Sequence, residues 1–376
     1  MNEVPFFSFA KAPLSLREEW TAAISETLAS NKFILGESVF EFERAWAEKI
    51  GVPFGVGVAN GLDGLVLALK SLGVGEGDLV GVPSHTFIGT ITAIVLVGAK
   101  PFCIDVDENG LLDIDKVLDI PAKISAIIPV HMHGRMVDMV RLTEWARMNS
   151  VFVIEDGSQS HFAQQNGKMA GAFGDVSVFS LYPSKNLGAL GDAGIVTTNN
   201  SALEKKLRLL ANYGSHSSDK YHHFVFGHNS RLDSIQASVL LRNLEYLTEW
   251  NQKRSDLAKI YTMLLGELDQ IEVMGKSIES VWHHYPILTE NRIGLRKFLF
   301  ESKIQTEIHY PRLAAYEYYD ISGVKKVVHP VGERISNTIL SLPISQWHTE
   351  SEIEYVSSKI IEFFNVQSDS VLKVSN

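Results

Sequence analysis

Short apolar runs alternate with segments of helical periodicity over residues 1–250. The runs are bounded by glycine or polar clusters, which is typical of buried strands. Between them, apolar residues recur three and four positions apart, the spacing of one helix face. Repeated β–α alternation predicts an α/β fold with a mostly parallel, seven-stranded sheet between layers of helices. Strands are predicted at 54–59, 79–82, 101–106, 124–130, 151–154, 176–179 and 194–198, and helices include 13–32, 38–50, 139–148 and 231–250.

The alternation stops near residue 250, where a different pattern begins. Strands are predicted near 271–274 and 281–288, and helices through Ile339 and over 353–364. We therefore expect a large α/β domain over 1–250 and a smaller α+β domain over 251–376. Just before this boundary, residues 212–230 form a long polar stretch that contains aromatic and histidine residues. A loop of this length in a compact protein is usually functional or lies at an interface.

Composition limits the partners and the compartment that we expect. With 376 residues and 45% hydrophobic content, the chain can form packed cores. Its formal net charge of −10 argues against nucleic acid or an anionic membrane as partner. The single cysteine, Cys103, allows no intrachain disulfide and fits a reducing compartment. We see neither a signal peptide nor an apolar run of membrane-spanning length, so we expect a cytoplasmic protein.

Two predicted strands end at clusters of reactive side chains. The strand at 151–154 leads to Glu155 and Asp156, and the strand at 176–179 leads through Ser180 to Lys185. Because ligands of open α/β sheets bind at the carboxyl ends of the strands, both clusters should face one crevice. An acid and an amine delivered there suit pyridoxal phosphate, whose ring nitrogen needs an acidic partner and whose aldehyde needs a lysine. Lys168, in a polar turn, is the weaker candidate for that lysine.

Other side chains near these strand ends have suitable chemistry for the same cofactor. Ser180 can donate to a phosphate oxygen, and Gln159, one helical turn beyond Asp156, can reach a ring substituent. The segment Asn60-Gly61-Leu62 opens a helix directly after a strand, so its N–H groups could hold a phosphate, although an ordinary helix cap has the same pattern. Phe87 could lie flat on a planar ring or be a core aromatic residue.

A metal-dependent hydrolase is the main alternative from the residues alone. His131 and His133 follow one predicted strand, and Glu155 and Asp156 follow a neighbouring one, so the four could ligate a metal ion. That hypothesis leaves the lysine and the serine without a function. The constellation therefore favours a pyridoxal phosphate enzyme that has no metal site.

Five motifs occur in an order that resembles one enzyme family. They are ANGLDGL (59–65), PSHTFIGT (83–90), VIEDGSQSH (153–161), FSLYPSKNLGALGDAG (179–194) and GHNSRLDSIQASVL (227–240). Together they resemble the DegT/DnrJ/EryC1/StrS sugar aminotransferases, which are fold-type I pyridoxal phosphate enzymes, over nearly the whole chain. The resemblance implies a homodimer whose active sites are shared between the chains. The lysine at position 185 argues against the related dehydratases, which have histidine there.

The family's site residues can be placed on this sequence one by one. The resemblance implies that Lys185 binds the cofactor covalently, that Asp156 pairs with the pyridinium nitrogen, and that Gln159 contacts the ring hydroxyl. Phe87 is implied to stack on the ring. The implied phosphate contacts are Ser180, the amides of Gly61 and Leu62, and Asn229 of the partner subunit. The candidate substrate contacts are His309 and Tyr310 of an HYP segment, together with Tyr182 and Arg231.

Three shorter segments, NGLD, NYGS and NSRLDSIQA, narrow the expected substrate. They resemble the branch that aminates nucleotide-linked 3-keto-6-deoxyhexoses, typically dTDP-sugars with L-glutamate as donor, for a surface polysaccharide such as an O-antigen or for a glycoside. The segment His131-Met132-His133-Gly134-Arg135 departs from the HLYGQ usual in that branch. Amination at C4 of a dTDP-, UDP- or GDP-linked keto-sugar therefore stays open. Outside enzymes, the alternative is a cofactor-binding sensor without turnover, which we would expect to carry a DNA-binding module.

Overall fold

The computed structural model describes residues 3–120, 123–216, 219, 221–276, 278–312 and 329–374. The described residues form a seven-stranded sheet, a three-stranded sheet and a two-stranded hairpin. The strands are β1 (Phe54–Val58), β2 (Leu79–Pro83), β3 (Lys100–Ile104), β4 (Ala126–Ile127), β5 (Phe152–Asp156), β6 (Gln164–Gln165), β7 (Lys168–Met169), β8 (Val176–Ser180), β9 (Gly194–Thr198), β10 (Glu272–Val273), β11 (Tyr285–Leu288) and β12 (Ile339–Leu342).

The large sheet has the order β1-β9-β8-β5-β4-β2-β3. The pairs β2–β3, β2–β4, β4–β5 and β5–β8 are parallel, whereas β9 runs antiparallel to both of its neighbours. This topology confirms the predicted α/β fold with a mostly parallel, seven-stranded sheet. Strand β4 is shorter than the predicted 124–130, because only its first part pairs as a ladder and Val130 makes an isolated bridge to Asp156.

Helices cover both faces of this sheet. Side chains of successive strand residues point to opposite faces, so Val178 and Val196 pack with one layer of helices while Phe179 and Ile195 pack with the other. The helices are α1 (Leu14–Ser30), α2 (Glu37–Ile50), α3 (Gly61–Leu72), α4 (Ile88–Leu96), α5 (Ile114–Leu118), α6 (Met139–Asn149), α7 (Ser201–Ala211), α8 (Ser234–Leu265), α9 (Arg292–Glu301), α10 (Pro330–Thr338) and α11 (Glu350–Val374).

The antiparallel sheet β10-β11-β12 has a core of its own, formed with α9 and α11. The second half of α8 contributes Leu257, Tyr261 and Leu265 to that core, while its first half contributes Leu240 to the core of the large sheet. Helix α8 thus continues through residue 250, and the division into domains 1–250 and 251–376 stays a prediction. The helix predicted through Ile339 is present as α10 but ends at Thr338, and the assignment of Ile339 itself is wrong, because this residue begins strand β12.

The parallel register of β5 and β8 sets up the candidate site. Asp156 pairs with Val178, so the end of β5 lies beside the end of β8, where Ser180 leads into the turn that carries Lys185. The two polar clusters therefore meet at one edge of the sheet, as the sequence predicts. Among the residues that the structure describes, no helix combines the length and the apolar character needed to span a membrane.

Candidate active site

Asp156 is a buried carboxylate at the carboxyl end of β5. Its backbone N–H donates to the carbonyl of Pro129 at 2.9 Å, which ties it to the neighbouring chain segment. Its side chain accepts two hydrogen bonds: the Thr90 hydroxyl donates to Oδ2 at 3.0 Å, and the Ser158 N–H donates to Oδ1 at 3.2 Å. The carboxylate is therefore held at both oxygens. This arrangement suits a fixed partner for a protonated ring nitrogen.

Lys185 lies in the turn that follows β8, and its N–H donates to the carbonyl of Tyr182 at 2.9 Å. Burial lowers the pKa of its amine from 10.5 to about 8, because the charged ammonium loses its solvation; the negative charge of Asp156 partly opposes this shift. A lysine with such a pKa has a substantial neutral fraction near neutral pH. The free amine is the form that can attack an aldehyde or accept a proton.

The residue after Lys185 anchors the turn. Asn186 is fully buried, and its Nδ2 donates to Asn251 Oδ1 at 2.8 Å and to the carbonyl of Val281 at 2.9 Å. These two contacts identify Nδ2, so the remaining atom of the amide is its oxygen. Because an amide oxygen only accepts, the contact of 3.1 Å between Asn186 Oδ1 and His283 Nδ1 requires the histidine to donate. His283 therefore has its proton on Nδ1. This network joins the Lys185 turn to α8 and to the segment before β11.

Gln159 is held in one orientation by its two neighbours. The N–H of His133 donates to Gln159 Oε1 at 2.7 Å, so the amide nitrogen must face the other way, where it donates to the Tyr310 hydroxyl at 3.0 Å. The Tyr310 ring lies 5.3 Å from the Phe87 ring, measured between centroids. Phe87 is 53% exposed, so the interpretation as a fully buried core residue does not hold. An exposed aromatic ring that Tyr310 links to Gln159 is suited to stacking on a planar ring.

Several neutral histidines surround this edge of the sheet. His309 stacks on His284 with a centroid distance of 3.8 Å, and His284 Nδ1 lies 3.2 Å from His133 Nδ1. Burial lowers the pKa of His309 to about 3 and lowers the pKa of His133 and His284 well below 6.5. The nearby charge of Lys185 further lowers the pKa of His309 and His284. These rings are therefore uncharged hydrogen-bonding groups rather than cations.

The start of α3 packs closely against the end of β8. A Cβ atom at Gly61 would lie 2.8 Å from the Ser180 Cβ, so only glycine allows this approach. Asn60 caps the helix by accepting from the Asp63 N–H at 2.8 Å, while the N–H groups of Gly61 and Leu62 lie in the first turn, where no helix carbonyl reaches them. Together with the hydroxyl of Ser180, they have the donor chemistry that a phosphate requires.

The structure shows no contact between Asn229 or Arg231 and these side chains among the described residues, whereas Tyr182 belongs to the Lys185 turn. Asn229 is exposed and forms an isolated bridge with Asn212. Arg231 donates to Asn212 Oδ1 at 2.8 Å and lies 5.6 Å from the centre of the Tyr213 ring. Tyr182 is also exposed, near Lys185 in sequence. The exposure of Asn229 leaves it accessible to a second chain.

The four proposed ligands of the hypothetical metal site are engaged in other hydrogen bonds, His131 with Glu155, Asp156 with Thr90 and His133 with His284. His131 Nε2 donates to Glu155 Oε2 at 3.1 Å, and the N–H of Val137 donates to His131 Nδ1 at 3.3 Å. Burial raises the pKa of Glu155, but hydrogen bonds from His131 and backbone N–H groups outweigh it, and the net shift is downward. The described ranges contain no cluster of three or more His, Cys, Asp or Glu side chains arranged to hold a metal ion. The further donors to Glu155 are the N–H groups of Gly171, Phe173 and Gly174 and the Ser177 hydroxyl.

Sequence reasoning missed several residues that shape this site. Thr90 and Ser158 hold Asp156, while Asn186, Asn251 and His283 hold the Lys185 turn. A weak signal was present, since Thr90 is a polar residue among the buried apolar residues of α4, and Asn251 is one of several polar residues on the buried face of α8. A polar residue on a buried helix face needs a hydrogen-bond partner. The identity of that partner depends on the tertiary structure.

A mostly parallel sheet that brings a buried acid and a lysine of lowered pKa to one edge defines a pyridoxal phosphate-dependent transferase as the class. The comparison with known proteins agrees: the DegT/DnrJ/EryC1/StrS aminotransferase family matches residues 14–361, and the chain belongs to that family. A Streptomyces venezuelae relative named dTDP-3-amino-3,4,6-trideoxy-alpha-D-glucose transaminase is 39% identical, covering 91% of each chain. A Geobacillus stearothermophilus relative named pleiotropic regulatory protein is 36% identical, covering 96% of this chain and 98% of its own.

The solved structures include a similar fold over nearly the full length. The crystal structure of S. venezuelae DesV in complex with a ketimine intermediate has a TM-score of 0.92 and 37% sequence identity, and it covers 96% of this chain and 99% of its own. The chain is therefore a sugar aminotransferase of fold-type I that depends on pyridoxal phosphate.

Proposed function

We propose that this protein transfers the amino group of L-glutamate to C3 of a dTDP-linked 3-keto-6-deoxyhexose, giving a dTDP-3-amino-3,6-dideoxyhexose. The product would serve a surface polysaccharide such as an O-antigen, or a glycoside. One observation carries the catalytic part of the proposal. A buried carboxylate, Asp156, and an amine with a pKa lowered to about 8, Lys185, lie at the ends of neighbouring strands. Similarity to the S. venezuelae transaminase supports the choice of sugar nucleotide.

The described residues fit the cofactor at each of its ends. Gly61, where a Cβ would meet Ser180, leaves first-turn N–H groups and a hydroxyl for the phosphate. Phe87 offers an exposed ring face, and the Gln159 amide nitrogen is directed away from His133. We propose these residues as cofactor contacts, with Leu62 contributing its backbone amide.

Lys185 has two roles in this proposal. Pyridoxal phosphate, when bound, supplies an aldehyde that carries the amino group and a ring that accepts electrons. The Lys185 amine holds the cofactor, and after its release Nζ takes the proton from the α-carbon of glutamate. In the second half-reaction, the same nitrogen returns a proton to the sugar carbon that is aminated. Asp156 keeps the ring nitrogen protonated throughout.

The substrate contacts are proposed on the same edge of the protein. Tyr310 contacts Gln159, and His309 is held by the Ser341 hydroxyl at 3.0 Å, so both can present polar groups to a sugar. The neutral state of His309 favours recognition of hydroxyl groups over recognition of anions. Tyr182 and Arg231 are proposed as further contacts, Arg231 through the partner subunit.

We also propose a cytoplasmic homodimer. Most of the described residues of segment 212–230 are exposed in the single chain, and Phe226 and Phe224 present their rings to solvent. Exposed aromatic clusters of this kind mark protein interfaces. The segment also carries Asn229, which would then reach the cofactor phosphate of the partner subunit's site.

The test of this function is an amination assay on the purified protein with pyridoxal phosphate and L-glutamate. Candidate acceptors are dTDP-3-keto- and dTDP-4-keto-6-deoxyhexoses and the UDP- and GDP-linked 4-keto-sugars, and NMR of the product identifies the aminated carbon. We expect C3 amination of the dTDP-sugar by the wild-type protein and by Lys168→Ala, with no detectable product from Lys185→Ala. Normal turnover by Lys185→Ala would contradict the catalytic assignment. Amination at C4, or of a UDP- or GDP-sugar, would replace the substrate assignment, and cofactor binding without any product would favour the sensor.

A further inference from the structure

Two buried threonine hydroxyl groups, one just before α4 and one in its first turn, form a hydrogen-bonded chain that ends at Asp156. Thr86 and Thr90 are each 1% exposed, although this helix is otherwise strongly apolar. The Thr90 hydroxyl lies 3.0 Å from Asp156 Oδ2 and 3.1 Å from the Thr86 hydroxyl. Burying a hydroxyl is unfavourable unless it is hydrogen-bonded, and this pair satisfies that requirement by contact with the carboxylate.

The direction of these hydrogen bonds follows from counting protons. A carboxylate only accepts, and a threonine hydroxyl has a single proton to donate. Thr90 must therefore donate to Asp156, and its oxygen must accept from Thr86. The chain is Thr86 to Thr90 to Asp156, and each bond polarises the next.

We propose that Thr90 is a positioning residue that fixes the carboxylate plane of Asp156 for its hydrogen bond to the cofactor ring nitrogen. The last torsion of an aspartate side chain is broad and roughly two-fold, so the plane of a lone carboxylate is poorly defined. Thr90 restrains Oδ2 and the Ser158 N–H restrains Oδ1, one donor on each oxygen. Each oxygen of Asp156 then keeps one acceptor position for the hydrogen bond to the ring nitrogen. This inference rests on the proposed function, since it assumes that Asp156 meets that ring.

The test compares three single variants of the cofactor-loaded protein. Thr90→Val keeps the shape and removes the hydroxyl, whereas Thr90→Ser keeps the hydroxyl. Thr92→Val is the matched control, because Thr92 is on the same helix and its hydroxyl donates only to the Ile88 carbonyl at 3.0 Å. The direct readout is the ¹⁵N chemical shift of the ring nitrogen in protein loaded with ¹⁵N-labelled pyridoxal phosphate. The kinetic readout separates kcat from KM, since a transition-state interaction changes kcat.

We expect the ring nitrogen of Thr90→Val to shift toward its unprotonated position and kcat to fall about 10- to 100-fold, the effect of losing a hydrogen bond to a charged group. KM should change little, and Thr90→Ser and Thr92→Val should behave like the wild type. An unchanged ¹⁵N shift and kcat in Thr90→Val would overturn the inference. An unprotonated ring nitrogen in the wild-type protein would instead contradict the role proposed for Asp156.

Thr90→Ala also lacks the hydroxyl and keeps the inference testable if Thr90→Val does not fold, with the same ¹⁵N shift and loss of kcat expected. Thr86→Val tests the preceding hydrogen bond of the chain separately. Thr86→Val leaves the hydrogen bond from Thr90 to Asp156 in place and removes only the Thr86 hydroxyl, which donates to Thr90. We expect a smaller ¹⁵N shift in the same direction and a smaller loss of kcat. A folded Thr86→Val protein with both values at the wild-type level would argue against a relay of hydrogen bonds.

Discussion

The amine of Lys185 shows most clearly how one residue's surroundings determine its chemistry. Burial lowers its pKa to about 8, and the charge of Asp156 limits that shift. At pH 7 about one amine in ten is then neutral, compared with about one in three thousand for a lysine with the ordinary pKa. The nearby neutral histidines add polar surface without adding positive charge. Lys185 is therefore prepared to react before any ligand binds.

The first prediction concerns the pH dependence of this amine. The rate at which the apoprotein takes up pyridoxal phosphate should rise with pH through a midpoint at about 8 and become level about one unit higher, because the neutral amine is then the major form. Asp156 raises the pKa of Lys185, so Asp156→Asn should move the midpoint to lower pH. Absorbance spectroscopy of cofactor uptake over a pH series measures both.

Lys168→Ala is the control for that series and should leave the profile unchanged. An uptake rate that keeps rising toward pH 10 would show that Lys185 has an ordinary pKa. A midpoint that moves to higher pH in Asp156→Asn would contradict the electrostatic coupling between the two residues.

At the residue scale, the sequence predicts part of the site for a clear physical reason. Asp156 and Lys185 follow apolar strand patterns, and strand ends in parallel sheets meet at a common edge, so their proximity could be expected. Thr90 and His283 could not be assigned in the same way. Their partners are distant in sequence, and the contacts exist only after α4 and the segment before β11 pack against the sheet.

At the scale of elements, the turn after β8 depends on α8 for its shape. Asn186 bonds to Asn251 on that helix, and Asn243, also on α8, donates to the Gly188 carbonyl at 2.9 Å. The same helix contributes side chains to the cores of both sheets. A single long element thus supports the lysine turn and links it to the smaller sheet.

The second prediction tests this support. Asn186→Ala removes the hydrogen-bond partner of Asn251 Oδ1, of the Val281 carbonyl and of His283 Nδ1, so the free energy of unfolding should fall by about 2–4 kcal/mol. Cofactor affinity should fall as well, because the Lys185 turn loses its anchor. Denaturation curves and cofactor titration provide the two measurements.

Asn149→Ala is a suitable control, since its side chain bonds only to the Trp145 carbonyl at an exposed position and should change stability by less than about 0.5 kcal/mol. Combining Asn186→Ala with Asn251→Ala should cost less than the sum of the two single changes. Strict additivity in that double-mutant cycle would show that the two amides do not act together.

The elements themselves differ in how well their sequence patterns define them. Strands β1, β5, β8 and β9 match apolar runs closely, because helices bury both faces of the large sheet and the run has few alternatives. The sequence predicts a helix through Ile339, yet pairing with Leu288 makes it a strand residue. Strand pairing is a tertiary contact and overrides local periodicity there.

At the scale of the whole molecule, the aromatic residues of segment 212–230 are exposed to solvent when only one chain is considered. Phe226 is 99% exposed, and Tyr221 and Phe224 are also well exposed nearby. The proposed homodimer would cover these rings and bring Asn229 to the other chain's site. Each active site would then need residues from both chains.

The third prediction uses that requirement. In the proposed dimer each site takes Lys185 from one chain and Asn229 from the other. A dimer of one Lys185→Ala chain and one Asn229→Ala chain therefore has one site with both changes and one site with neither. If random mixing makes half of the dimers mixed, activity should recover to about a quarter of the wild-type value. Co-refolding of the two variants followed by the amination assay tests this. Activity that stays at the average of the two parents would contradict shared sites, and Lys185→Ala mixed with wild type is the control for dilution.

The central claim is that the amine of Lys185 holds the cofactor. Borohydride reduction of the cofactor-loaded protein, followed by proteolysis and mass spectrometry, tests it most directly. The account predicts one pyridoxyl-modified peptide, from the turn after β8, with the modification on Lys185 and none on Lys168. A modification on another lysine, or no modified peptide at all, would contradict it.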